Sequence, residues 1–157
     1  MMSIIGRAGF TLVEMLVVLA IIAMLLGISV PFTSQFGKGL RIKTASRAIL
    51  ASLRVAKSNA ITYRKKYSVV FDVENSQYWI EDSEGKVFER KRDLPSSIKF
   101  EIQDEKEPDP ITFEDDRVIF YSTGAIEGAS GSVTITDRQG NAKTISILGS
   151  TGNIRIE

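Results

Sequence analysis

Gly9-Phe10-Thr11-Leu12-Val13-Glu14 runs directly into Met15-Leu-Val-Val-Leu-Ala-Ile-Ile-Ala-Met-Leu-Leu-Gly-Ile-Ser-Val-Pro31-Phe-Thr-Ser-Gln-Phe-Gly37, and the reading of this stretch decides the fold. No residue between Glu14 and Lys38 is charged. The 23 residues from Met15 to Gly37 would make a helix roughly 35 Å long, enough to cross a hydrocarbon core of about 30 Å. Eleven residues from Leu16 to Phe32 are Leu, Ile, Val or Phe, and together they favour insertion by about 3–7 kcal/mol at most. A buried core helix is one alternative, but the run is long for that. A secretory signal peptide is the nearer rival, with Arg7 as its basic n-region. However, the run exceeds a typical h-region and no Ala-x-Ala-like site follows it. Charge alone does not orient the segment. Only Arg7 and the terminal amine precede it, whereas Lys38, Arg41, Lys43 and Arg47 follow it. By the positive-inside rule that imbalance would put the C-terminal part in the cytoplasm.

The whole chain, 157 residues, suits one modest domain plus an anchor. Its 20 basic and 19 acidic residues nearly cancel, so overall charge selects no partner. Cysteine and histidine are both absent. That excludes disulfides, thiolate or imidazole metal sites, and Ser-His-Asp or Cys-His catalysis.

After Gly37 and Gly39 a second helical pattern begins. Ile42, Ala45, Ile49, Leu53, Ala56 and Ala60 recur at steps of three or four and form one apolar face. Lys43, Arg47, Arg54, Lys57 and Arg64 lie on another, and no acidic residue occurs from Lys38 to Lys66. This basic face is read as solvated by default. It could also lie near anionic headgroups or meet an acidic neighbour.

From Tyr67 the pattern turns to strands. Tyr67–Val73 and Gln77–Glu81 are rich in β-branched and aromatic residues around a turn at Glu74-Asn75-Ser76. Further strands are expected at Val87–Glu89, Ser97–Gln103, Ile111–Phe113, Arg117–Tyr121, Ser132–Thr136, Lys143–Leu148 and Asn153–Ile156. Closely spaced turn signals suggest two small antiparallel sheets. The expected fold is α+β: a long N-terminal transmembrane and assembly helix packed on a C-terminal antiparallel β-sheet head.

The N-terminal stretch resembles the type IV prepilin signature. A short basic leader ends in Gly9, Phe10 follows, Glu14 is the fifth residue after the junction, and the apolar run starts at once and is interrupted late by Pro31. The tail, Val118-Ile-Phe-Tyr-Ser-Thr-Gly124 and Gly149-Ser-Thr-Gly152-Asn-Ile-Arg155, resembles the GspH/FimT subfamily of minor pseudopilins and minor pilins. The resemblance implies cleavage between Gly9 and Phe10 by a prepilin peptidase, with methylation of the new amino terminus. It also implies a single pass through the inner membrane with the head in the periplasm. Glu14 would pair with the amino terminus of a neighbouring subunit, and Pro31 would bend or loosen the helix.

The implied organisation is a leader at 1–9, a transmembrane and assembly helix at 10–37, an amphipathic basic helix at 38–66 and a β-rich head at 67–157. The implied partners are prepilin peptidase, other pseudopilins or minor pilins, an inner-membrane assembly platform and membrane lipid. The implied role is that of a minor pseudopilin in assembly of a type II secretion pseudopilus. The alternative is a FimT-like minor pilin acting in pilus assembly or DNA uptake. Some FimT-like members bind DNA through a C-terminal Gly-Arg-x-Arg. Here Gly152-Asn153-Ile154-Arg155 keeps only Arg155, which puts DNA binding in doubt.

No catalytic group of residues is evident, and no cofactor is expected. The acidic segment with Asp104, Glu105, Glu107 and Asp109 beside Pro108 and Pro110 lacks EF-hand spacing and reads as a solvated loop rather than a metal site. Gly124, Gly128 and Gly131 lack a following Gly-Lys-Ser/Thr and read as turn residues.

Overall fold

The computed structural model describes residues 10–101 and 109–157; for residues 28–38 it describes the backbone only. Gly9, and Asp104, Glu105 and Glu107 of the acidic segment, lie outside the described residues. The chain divides into two compact units, Met1–Lys38 and Gly39–Glu157.

Helix α1, Leu12–Tyr63, contributes to both units. Its start is specified locally. The Thr11 hydroxyl accepts the N–H of Glu14 at 3.2 Å, and the Thr11 carbonyl accepts that of Met15 at 3.2 Å. Thr11 is therefore the N-cap of a Thr-x-x-Glu sequence. The sequence pattern suggested a separate helix from Lys38, whereas the backbone is helical through Gly37, Lys38 and Gly39. A glycine costs a helix only about 1 kcal/mol, and the good helix formers Lys38 and Leu40 stand beside these sites.

Within the N-terminal unit, the described side chains from Leu12 to Gly27 are all exposed. Leu12, Leu16 and Leu19 retain 77%, 58% and 61% of their surface. The apolar residues occupy every side of the helix, as in a segment whose surroundings are apolar all round. Among the described residues no helix is long and apolar enough to cross a membrane. The apolar run of the sequence continues beyond Gly27 into residues whose side chains are outside that set.

The second unit is built differently. Ile42, Ala45, Ile49, Leu53, Ala56 and Ala60 are all buried and share one hydrophobic cluster with the strands. Two four-stranded antiparallel sheets complete it. The first contains β1 (Tyr67–Asp72), β2 (Gln77–Asp82), β3 (Arg92–Asp93) and β5 (Arg117–Phe120), in the order β3-β2-β1-β5. The second contains β4 (Ile98–Phe100), β6 (Gly131–Asp137), β7 (Ala142–Leu148) and β8 (Asn153–Ile156), in the order β4-β6-β7-β8.

Alternation puts Val69, Phe71, Ile80, Val118 and Phe120 of the first sheet in the cluster, and Ile98, Phe100, Val133, Ile135, Ile145 and Ile147 of the second. Phe71 meets Phe100 edge-on, centroids 5.6 Å apart, joining the two sheets.

Two expected strands differ. Val87 forms only a bridge with Glu81, and the regular pairing with β2 comes later, at Arg92–Asp93. Two extra residues separate the registers, so the charged Glu89-Arg90-Lys91 stretch bulges along the edge. Ile111–Phe113 likewise reduces to a single bridge, Ile111 with Val133.

Candidate functional site

Two groups of residues emerged from the sequence, one at the start of α1 and one in the tail. At the helix start, Phe10 and Thr11 are outside the helix and exposed, and Glu14 occupies its first turn, also exposed. Counting from the Thr11 cap, Glu14 is the third helical residue. A carboxylate there faces the positive end of the helix dipole. Thr11 was missed by sequence reasoning, although Thr11-Leu-Val-Glu14 is itself a capping-box pattern. Pro31 lies in helical backbone.

The tail residues converge on a joint. Gly124 and Gly152 both adopt left-handed conformations, with φ of 85° and 57°. A Cβ on Gly152 would come 2.1 Å from the Gly124 carbonyl oxygen, so only glycine fits that contact. Lys57 of α1 donates from Nζ to the carbonyl oxygens of Thr151 at 2.8 Å and Gly152 at 3.0 Å. The two Ser-Thr-Gly turns, Ser122–Gly124 and Ser150–Gly152, thus meet beside the helix. At the end of α1 a second tie forms: Lys66 pairs with Glu127 at 3.2 Å and lies 4.9 Å from the centroid of the Tyr121 ring. The Lys66 ammonium and then the Tyr121 hydroxyl hold the Glu127 carboxyl below its ordinary pKa.

Arg155 lies on the edge strand β8, exposed, opposite Ser146. It shares a shallow depression of about 420 Å³ with Asn153 and Glu157. The cations that could support it are placed elsewhere. Arg138 sits at the β6–β7 turn, at the far end of the sheet from the Gly149–Gly152 turn, and bonds the Ser96 carbonyl at 3.1 Å. Lys57 is committed to the tail carbonyls. Arg54 is exposed on the helix, and Arg64 is exposed in the turn that follows it. Lys57 and Arg138 are thus each engaged with backbone carbonyls. Asp109 is the described carboxylate of the acidic segment, with Glu114, Asp115 and Asp116 following it, and no group of carboxylates able to hold a metal ion occurs among the described residues.

Comparison with known families decides the assignment. Residues 45–151 match the family described as type II transport protein GspH. The chain belongs to the GspH family. Residues 5–30 also match the prokaryotic N-terminal methylation motif, so both ends of the resemblance are found in one chain.

No curated protein matches the sequence. Among solved structures, this GspH-family chain is similar to the type IV minor pilin FimU of Pseudomonas aeruginosa, with 18% identity, a TM-score of 0.59, and coverage of 78% of this chain and 92% of that one. It is also similar to EpsH, a minor pseudopilin of the type 2 secretion system of Vibrio cholerae, with 12% identity, a TM-score of 0.55, and coverage of 74% and 96%. At these identities the likeness establishes the fold: a helix with two small antiparallel sheets.

Proposed function

We propose that this GspH-family chain is a minor pseudopilin, a subunit of the filament that serves type II secretion. The observation that carries the proposal is the union of a methylation motif, a helix with apolar side chains exposed on every side, and a GspH head.

In this reading a prepilin peptidase cuts between Gly9 and Phe10 and methylates the new amino terminus. The apolar helix holds the subunit in the inner membrane, with the head in the periplasm. An inner-membrane assembly platform then moves it into a helical bundle shared with other pseudopilins. Bilayer and bundle are both apolar, so the transfer need not lose hydrophobic stabilisation. Glu14 guides docking. A carboxylate costs about 2.5–3.5 kcal/mol at the membrane centre and less near a helix end. The amino terminus of a neighbouring subunit offsets that cost. Pro31 lacks a backbone donor and lets the helix bend or loosen as subunits pack. The work is mechanical, with no enzymatic step by this chain.

The likeness to FimU favours a second reading, a minor pilin of a type IV pilus. Deleting the gene distinguishes the two. Loss of exported enzymes from the medium, restored by the full chain, supports the pseudopilin. Intact secretion with loss of surface pili supports the pilin.

A further inference from the structure

The first turns of α1 beyond the apolar run carry cations that the fold does not use. Arg41, Lys43 and Arg47 are exposed, and none has an ion-pair partner among the described residues. Their neighbours Ile42, Ala45, Ser46 and Ile49 are buried in the head, so the helix is fixed with these three side chains turned outward. Elsewhere on the same helix Lys57 is bonded to carbonyls, and Lys66, just beyond its end, is paired with Glu127.

Position in the chain makes the cluster informative. Arg41, Lys43 and Arg47 follow Gly37 by only four, six and ten residues, so the covalent chain keeps them close to the end of the apolar run. In the topology given under Proposed function that side is the exterior, so the cluster lies on the wrong side by the positive-inside rule. It therefore has no role in setting topology. No acidic residue from Lys38 to Lys66 offsets it along the helix.

We infer that Arg41, Lys43 and Arg47 form a docking surface for the phosphate headgroups of anionic phospholipids in the outer leaflet of the anchoring membrane. This rests on the anchor and topology given under Proposed function. Cations held near an anionic surface are attracted to it in proportion to their number, and salt weakens the attraction. The surface would hold the base of the head against the bilayer until the subunit is extracted.

The test uses the full chain reconstituted in phosphatidylcholine vesicles carrying either spin-labelled phosphatidylglycerol or spin-labelled phosphatidylcholine. The motionally restricted lipid fraction is read at low and high salt. The inference expects phosphatidylglycerol to be preferred at least about three-fold at low salt, with the preference falling toward one at 0.5 M salt. The triple variant Arg41→Gln, Lys43→Gln, Arg47→Gln should lose the preference while keeping the thermal melt of the head. Arg54→Gln, further along the helix, combined with Arg64→Gln, just beyond its end, should retain it. Equal association of the two lipids with inserted chain, or an unchanged preference in the triple variant, would overturn the inference alone. Failure of the chain to insert in either vesicle would overturn the anchor reading, and the inference with it.

Discussion

Two stretches of one helix, residues 12–27 and residues 42–60, have opposite relations to the rest of the chain. The first is apolar on every side and leaves all its side chains exposed. The second is amphipathic and buries Ile49, Leu53, Ala56 and Ala60 completely. Both are regular helix, so local propensity does not explain the contrast. The second stretch is stabilised by the sheets it covers. The first leaves its apolar side chains exposed, and in the proposed role lipid covers them before assembly and neighbouring subunits afterwards. Stability and the proposed docking then reside in different turns of the same element.

The largest effect expected from this division is at Glu14. Glu14→Ala should abolish incorporation into filaments, because removing one partner of a buried charge pair costs about 2–5 kcal/mol. Membrane insertion and the melt of the head should be unchanged. Crosslinking of assembled subunits, beside calorimetry of the purified chain, checks both halves. Next comes Leu53→Ala, which should destabilise the head by about 2–5 kcal/mol through a cavity in its core. Leu16→Ala should move the same melt by less than about 0.5 kcal/mol, since Leu16 touches no core. If the two variants destabilise equally, the division between the stretches is wrong.

A smaller loss is expected at the joint of the tail. Gly152→Ala should cost at least about 1–2 kcal/mol from its left-handed backbone alone, with the approach to the Gly124 carbonyl adding to it. Denaturant melts would measure it.

The smallest effect concerns acid. Asp82 and Asp137 close similar hairpins, Asp82-Ser-Glu-Gly-Lys86 and Asp137-Arg-Gln-Gly-Asn141. Asp82 Oδ1 accepts the N–H groups of Glu84 and Lys86, and Asp137 Oδ1 accepts those of Gln139 and Asn141. For Asp137 the Asn141 side-chain amide is the leading cause, and for Asp82 the backbone N–H of Glu84. In each case the carboxyl is held below its ordinary pKa. A lowered folded pKa means stability that is full above the ordinary carboxylate value, about 3.9, and lost as pH falls through the folded value. The head should therefore lose melting temperature below about pH 4. Asp137→Asn, which keeps an acceptor but no titration, should flatten part of that slope.

Much of this architecture is legible in the sequence, and the reasons differ by region. The buried face of residues 42–60 follows from spacing, because a helix of fixed pitch turns periodicity into a surface. The β1, β2, β5, β6, β7 and β8 strands follow from β-branched runs between turn residues. The beginning of the amphipathic pattern is legible: its buried face starts at Ile42, and the two compact units divide between Lys38 and Gly39. Its end is less so, since the helix stops at Tyr63 and Arg64 takes a positive φ of 51°. The edge along β2 was misread because Val87-Phe88 looks strand-like, while its pairing depends on a bulge that only tertiary contacts specify. Of the proposed functional residues, Phe10 and Glu14 stand out by motif, and Thr11 is legible from its capping pattern. Lys57 could not: its role depends on carbonyls 94 and 95 residues away, and no local signal predicts it.

The central claim is that the apolar stretch remains in the mature protein as a docking helix. Intact-mass measurement of the chain after co-expression with a prepilin peptidase tests it most directly. The account predicts a product shortened by the nine residues Met1–Gly9 and carrying one methyl group on the amino terminus of Phe10. A product beginning after residue 30, with the apolar stretch removed, would contradict it.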